Sequence, residues 1–159
     1  MSINYQDLTP TELRNLMANA QRLENVQVYG EALDWLCRMS PDADIGTADL
    51  SDWLTQRFWQ AITAAEQVRT QANGKTTRLQ RTRNKAAKQG IVKTMSDLAL
   101  KSEPSDGFHY LVDAGLPHLV FEYVIAEMPN RFDSHVVEAA TRRLEEYEIA
   151  RPSQLSVND

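Results

Sequence analysis

A run of basic side chains is the feature of this sequence with the clearest chemical meaning. Residues 67–96 contain no aspartate or glutamate. By region, residues 1–66 carry four basic and ten acidic side chains, 67–101 carry nine and one, and 102–159 carry four and eleven. Because an acidic chain concentrates its positive charge in one segment, the sequence predicts a partner of negative charge. The candidate binding residues are Lys75, Arg78, Arg81, Arg83, Lys85, Lys88 and Lys93.

Helical spacing predicts that four of these cations share one face. On a helix over residues 76–89 they fall within an arc of about 80°. They are Arg78, Arg81, Lys85 and Lys88. Like charges three or four residues apart weaken an isolated helix by about 0.2–0.5 kcal/mol per pair, so a neutralising partner is expected. A phosphate backbone neutralises them and releases counterions, which favours nucleic acid, and double-stranded DNA first.

An acidic protein surface is the alternative partner. Four carboxylates of the same chain precede the third predicted helix and could face the cations: Asp42, Asp44, Asp49 and Asp52. A partner protein, or a second copy in a homodimer, could supply carboxylates instead. Trp59 would then anchor the contact, because it projects from the side of its helix opposite the apolar stripe. Burial of Trp59 in the core and a fully solvated cationic face are the remaining interpretations.

The sequence contains no recognisable catalytic or metal-binding pattern. No two of His109, His118 and His135 have the spacing that puts two ligands on one helical face. His118 and Glu122 have that spacing, which we interpret as a surface polar pair. The lone Cys37 lies in an apolar helical pattern that indicates a buried, unreactive thiol. We therefore predict no metal, no cofactor and a binding role, with an enzyme whose site is assembled from residues distant in the sequence as the third hypothesis.

Length and composition predict one helical domain over residues 1–150, followed by a C-terminal tail at 151–159. The chain has 159 residues, of which 42% are apolar, enough to bury a substantial core. No apolar run approaches the length of a membrane span, and the charged first twenty residues do not resemble a signal peptide. The single cysteine excludes an intrachain disulfide. These features together predict a cytoplasmic protein without a membrane partner.

Apolar residues recur at spacings of three and four along most of the chain, which predicts an all-α fold of seven or eight helices. Thr9 and Glu12 form a capping-box pattern around Pro10, and a second helix is predicted over about 26–39. The short link between these two helices predicts an antiparallel hairpin. Later helices are predicted from Asp49 or Ser51 to about 68, from Thr76 or Thr77 to Gly90, and from Thr94 to about 100. Three more are predicted around 108–112, 119–128 and 133–147.

The basic segment and the residues after it resemble a helix-turn-helix motif over about twenty residues. The resemblance consists of the small residue, the turn glycine, the following apolar residue and the cap of the second helix: Ala86, Gly90, Ile91 and Thr94. Lys85 and Gln89 occupy positions that this motif fills with apolar residues. No base-reading residues are therefore assigned from the resemblance.

Overall fold

Helices make up all the regular structure of the part of the chain that the computed structural model describes, residues 3–39 and 49–152 without the side chains of 37–39. This part contains eight α-helices and three short 3-10 turns, which confirms the all-α prediction. The helices are α1 Pro10–Arg22, α2 Val26–Met39, α3 Trp53–Asn73, α4 Gln80–Gln89, α5 Ile91–Leu100, α6 Asp106–Asp113, α7 Phe121–Glu127 and α8 Ser134–Glu146. The 3-10 turns are Tyr5–Asp7, Pro117–Leu119 and Pro129–Arg131. None of these helices is both long and apolar enough to span a bilayer.

The chain divides into two compact units, residues 1–51 and 52–159. Length and composition predicted one domain over 1–150, and that boundary stays a prediction. Both units contain fully buried apolar side chains, such as Leu13 in the first and Phe58 in the second.

The described part of the first unit contains the predicted helical hairpin. Thr9 Oγ1 accepts the Glu12 N–H at 3.1 Å, and Glu12 Oε1 accepts the Thr9 N–H at 3.1 Å, so the capping box forms as predicted. Glu24 turns the chain with φ 57°, and Asn25 Oδ1 then accepts the Val28 N–H at 3.2 Å at the start of α2. α1 and α2 pack closely together. Their buried apolar residues are Leu13, Met17, Ala20, Tyr29, Ala32, Leu33 and Leu36.

α3 is a helix of 21 residues in the second unit. Its cap is Asp52, whose Oδ2 accepts the Thr55 N–H at 3.1 Å, and it ends at Gly74, which has φ 72°. Five residues of the predicted apolar stripe are buried: Leu54, Phe58, Ala61, Ile62 and Ala65. Trp59 and Ala64 lie on other sides of the helix and are buried as well. α3 is therefore enclosed over much of its circumference, whereas a single stripe predicts burial of one face only.

α4 and α5 follow each other with only Gly90 between them. Gly90 has φ 93° and ψ 163°, a conformation that essentially only glycine adopts. The sequence predicted that Thr94 begins the second of these helices. In the structure Thr94 lies inside α5, where its hydroxyl donates to the Gly90 carbonyl at 2.8 Å instead of capping an N-terminus. A helix-turn-helix has a turn of three or four residues, so the resemblance does not extend to this connection.

A buried arginine joins three of the later helices. Arg143 of α8 donates from Nη1 to Glu122 Oε2 of α7 at 2.9 Å and to the Leu98 carbonyl at 3.2 Å. Its Nη2 donates to the Lys101 carbonyl. Because Leu98 and Lys101 are at the C-terminal end of α5, these bonds fix the point where the chain leaves α5.

Candidate nucleic-acid interface

Two backbone N–H groups in the segment between α3 and α4 donate hydrogen bonds to side chains of α3. Thr70 Oγ1 accepts the Thr77 N–H at 3.0 Å, and Glu66 Oε2 accepts the Leu79 N–H at 2.7 Å. The predicted start of α4 at Thr76 or Thr77 is therefore wrong, because these donors bond to α3 and the helix begins at Gln80. Arg78 consequently lies before the helix and not on its face.

Arg83 attaches the inner face of α4 to α3. Its guanidinium meets the Glu66 carboxylate through two bonds, Nε to Oε2 at 2.8 Å and Nη2 to Oε1 at 2.7 Å. The guanidinium carbon also lies 5.3 Å from the centre of the Trp59 ring. Arg83 is 4% exposed and Trp59 is 5% exposed. Arg83, predicted to bind phosphate, and Trp59, predicted to anchor a protein partner, therefore lie in the interior instead.

The opposite face of α4 carries Arg81, Lys85 and Lys88, which we call the basic face. Their spacing of four and three residues places them within an arc of about 60°. Arg81 and Lys88 are exposed and Lys85 is half-buried. Within the described chain, none of the three forms an ion pair. Three positive charges thus point away from the helix that holds α4 in place.

The remaining predicted cations flank the basic face. Lys75 and Arg78 are exposed in the segment before α4. Lys93 is exposed on α5 and lies 3.5 Å from Asp97, an i,i+4 pair. A hydrogen bond from Gln89 at 2.9 Å holds the pKa of Asp97 below its ordinary value, and the charges of Lys93 and Lys85 lower that pKa further. Asp97 therefore stays ionised and partly offsets the positive charge at this end of α4.

An open groove of about 540 Å³, which we call the α4 groove, lies between residues 77–85 and residues 98–110. Four basic and two acidic side chains line it: Arg78, Arg81, Lys85, Lys101, Glu103 and Asp106. Tyr110 of α6 also lines the α4 groove, and the Arg69 guanidinium carbon lies 5.0 Å from the centre of its ring. Neither Lys101 nor Tyr110 was among the predicted binding residues. The only available signal was the position of Lys101 at the end of the basic region, since nothing in the spacing places Tyr110 beside α4.

The carboxylates proposed as internal partners of the cations have other contacts where the structure describes them. Asp52 caps α3 and pairs with Arg131 at 3.0 Å, so its charge is already matched. The hydrogen bond from Arg131 is the main reason that the pKa of Asp52 lies below its ordinary value. Asp49 accepts the Ser51 N–H at 3.1 Å. Asp42 and Asp44 lie outside the described residues.

Buried ionisable groups elsewhere in the second unit have structural partners. Glu122 is 3% exposed and paired with Arg143, so the predicted surface pair of His118 and Glu122 is wrong. Burial raises the pKa of Glu122, and the hydrogen bond from Arg143 opposes that rise. Burial, with the nearby charge of Arg57, lowers the pKa of His118. Among the described residues, no three His, Cys, Asp or Glu side chains are placed to hold a metal ion.

Comparison with known proteins gives no match: no protein-family model, no curated protein and no solved structure is significantly similar to this chain.

Proposed function

We propose that this protein binds nucleic acid through the basic face of α4. The observation that carries the proposal is that Arg81, Lys85 and Lys88 share one helical face without an ion-pair partner in the described chain. Phosphates neutralise such a stripe, and the release of their counterions drives binding. Lys75, Arg78 and Lys93 extend the positive surface on either side.

The attachment of α4 to α3 supports this proposal. The bonds from Leu79 and Arg83 to Glu66 hold α4 from its inner side, so the opposite side faces outward. A rigid helix presents its charges to a phosphate backbone at lower entropic cost than a mobile segment does. The basic face alone does not discriminate duplex from single strand, because both carry phosphates.

The proposal includes a non-enzymatic role and a cytoplasmic location. A cytoplasmic location is consistent with the single cysteine of the chain and brings the basic face into contact with nucleic acid. The alternative partner is an acidic protein surface, and in that case the contact would rest on charge alone, since Trp59 is buried.

The test is the binding of fluorescein-labelled oligonucleotides, followed by fluorescence anisotropy at about 50 mM salt. The triple variant Arg81→Ala, Lys85→Ala, Lys88→Ala should raise Kd about tenfold or more. The control Arg14→Ala, Arg22→Ala, Arg142→Ala removes the same charge from exposed positions elsewhere and should change Kd much less. Undetectable binding by the wild type, or equal loss in both triple variants, would reject the proposal.

A further inference from the structure

The α4 groove carries an aromatic ring as well as positive charge, unlike the basic face alone. We infer that it binds single-stranded nucleic acid, with phosphates at Arg81, Lys85 and Lys101 and a base stacked on Tyr110. This inference rests on the proposed function and specifies the strand state of the ligand.

The size of the α4 groove suits one strand. Its volume of about 540 Å³ falls in the range of sites that enclose a small organic ligand. A duplex keeps its bases stacked inside and offers no base face to a ring at the groove wall. A single strand exposes its bases, and proteins that bind single strands combine a positive groove with aromatic side chains in this way.

Tyr110 is positioned to serve as the stacking surface. The side chain lies on α6 and is half-buried, so part of its ring remains accessible to a ligand. The Arg69 guanidinium carbon lies 5.0 Å from the centre of this ring, and Arg69 does not line the α4 groove. Because every base has a π face, stacking here would be tolerant of sequence.

The charges of the α4 groove come from both of its walls. Arg81 and Lys85 belong to α4, and Lys101 follows α5 across the groove. Two carboxylates, Glu103 and Asp106, also line the groove and oppose a phosphate backbone. If a strand enters the α4 groove, removing these two negative charges should strengthen its binding.

The experiment compares a fluorescein-labelled 12-nucleotide single strand with the duplex of the same length, using the full chain. The single strand should bind more tightly than the duplex. Tyr110→Leu should weaken single-strand binding about 5-fold or more, whereas Tyr110→Phe keeps the ring and should bind as the wild type does. Tyr147→Leu is the control, because it removes a partly exposed tyrosine that does not line the α4 groove.

Two variants at exposed groove residues keep the inference testable if Tyr110→Leu fails to fold. Lys101→Gln should weaken single-strand binding more than duplex binding. Glu103→Gln combined with Asp106→Asn should tighten single-strand binding about twofold to fivefold.

Four results would overturn the inference. They are equal or tighter binding of the duplex, no effect of a folded Tyr110→Leu variant, no effect of the groove charge variants, and equal binding of polyglutamate, an acidic peptide without bases. Any of the first three results, with a basic-face variant that still loses oligonucleotide binding, would leave the proposed function intact. Equal binding of polyglutamate would instead favour the alternative partner, an acidic protein surface. No binding of either oligonucleotide by the wild type would defeat both.

Discussion

Arginines in the second unit occupy two kinds of environment. Arg57, Arg83 and Arg143 are 4–6% exposed, and each donates to a carboxylate and lies beside a helix it helps to hold. A buried charge is costly unless it is paired and hydrogen-bonded, so these three belong to the fold. Arg81 is two residues from Arg83 but is exposed and without an ion pair in the described chain. Neighbouring basic residues therefore serve different purposes according to the face of the helix they occupy.

Arg83→Ala should destabilise the second unit. The change leaves the Glu66 carboxylate, 13% exposed, without its bidentate partner, and removing one member of a buried pair costs about 3–5 kcal/mol. Because the pair is not fully buried, we expect about 2–4 kcal/mol in the free energy of unfolding, measured by urea denaturation. Arg81→Ala is the control and should change stability by less than about 0.5 kcal/mol. Equal stability of the two variants would contradict the structural role of Arg83.

His118 should make the protein less stable in mild acid. Its folded-state pKa is lowered by burial and by Arg57, so below the ordinary value near 6.5 the unfolded chain binds the proton more readily. Its contribution to stability is therefore complete above that pH and lost as the pH falls through it. Relative to His118→Gln, the wild type should lose melting temperature between pH 7.5 and 5.5. The comparison with the variant is needed because Glu122, whose pKa is raised, contributes in the opposite direction. The same dependence of melting temperature on pH in the wild type and in His118→Gln would refute this prediction.

The position of α4 depends at both ends on residues outside the helix itself. Glu66 of α3 accepts the Leu79 N–H at its start, and Gly90 permits the sharp passage into α5 at its end. The orientation of the basic face depends on both. A change at either end should alter binding without touching a cation.

Gly90→Ala should lower the free energy of unfolding by about 1–3 kcal/mol, because alanine is strained at the backbone angles of this residue. The added Cβ itself would meet no atom within 4 Å beyond its neighbours in the chain. The control is Gly30→Ala in α2, where the Cβ also meets open space and the backbone is helical. That change should be neutral or stabilising by about 0.5–1 kcal/mol. Thermal unfolding followed by circular dichroism measures both. A neutral Gly90→Ala would show that the junction tolerates other residues.

The start of α1 was predictable from the sequence because its cap is local, whereas the cap of α3 was misplaced, being Asp52 and not Asp49 or Ser51. The capping box at Thr9 and Glu12 lies within four residues, and the start of α1 follows from it. The start of α4 was not predictable, because its backbone donors bond to Thr70 and Glu66, 7 and 13 residues away. The sequence also left the burial of Trp59 open, because that burial depends on residues distant in the sequence that pack against this side of α3.

The composition of the chain predicts the charge asymmetry but not which charged side chains share a surface. The sequence identified the basic segment, and six of its seven candidate cations are exposed or half-buried in the structure. Lys101 and Tyr110 join them only through the folding of α5 and α6 beside α4. The α4 groove therefore could not be predicted from the spacing of residues in the sequence.

Phosphate binding by the basic face can be measured through the salt dependence of oligonucleotide binding, compared between the wild type and the triple variant Arg81→Ala, Lys85→Ala, Lys88→Ala. Each phosphate contact contributes about −0.7 to −0.9 to the slope of log affinity against log salt. With three or more phosphate contacts, the slope for the wild type should be about −2 to −4. The slope for the triple variant should be less negative by about 2. Equal slopes for the two proteins, or no wild-type binding at about 50 mM salt, would contradict the claim that the basic face of α4 binds phosphates.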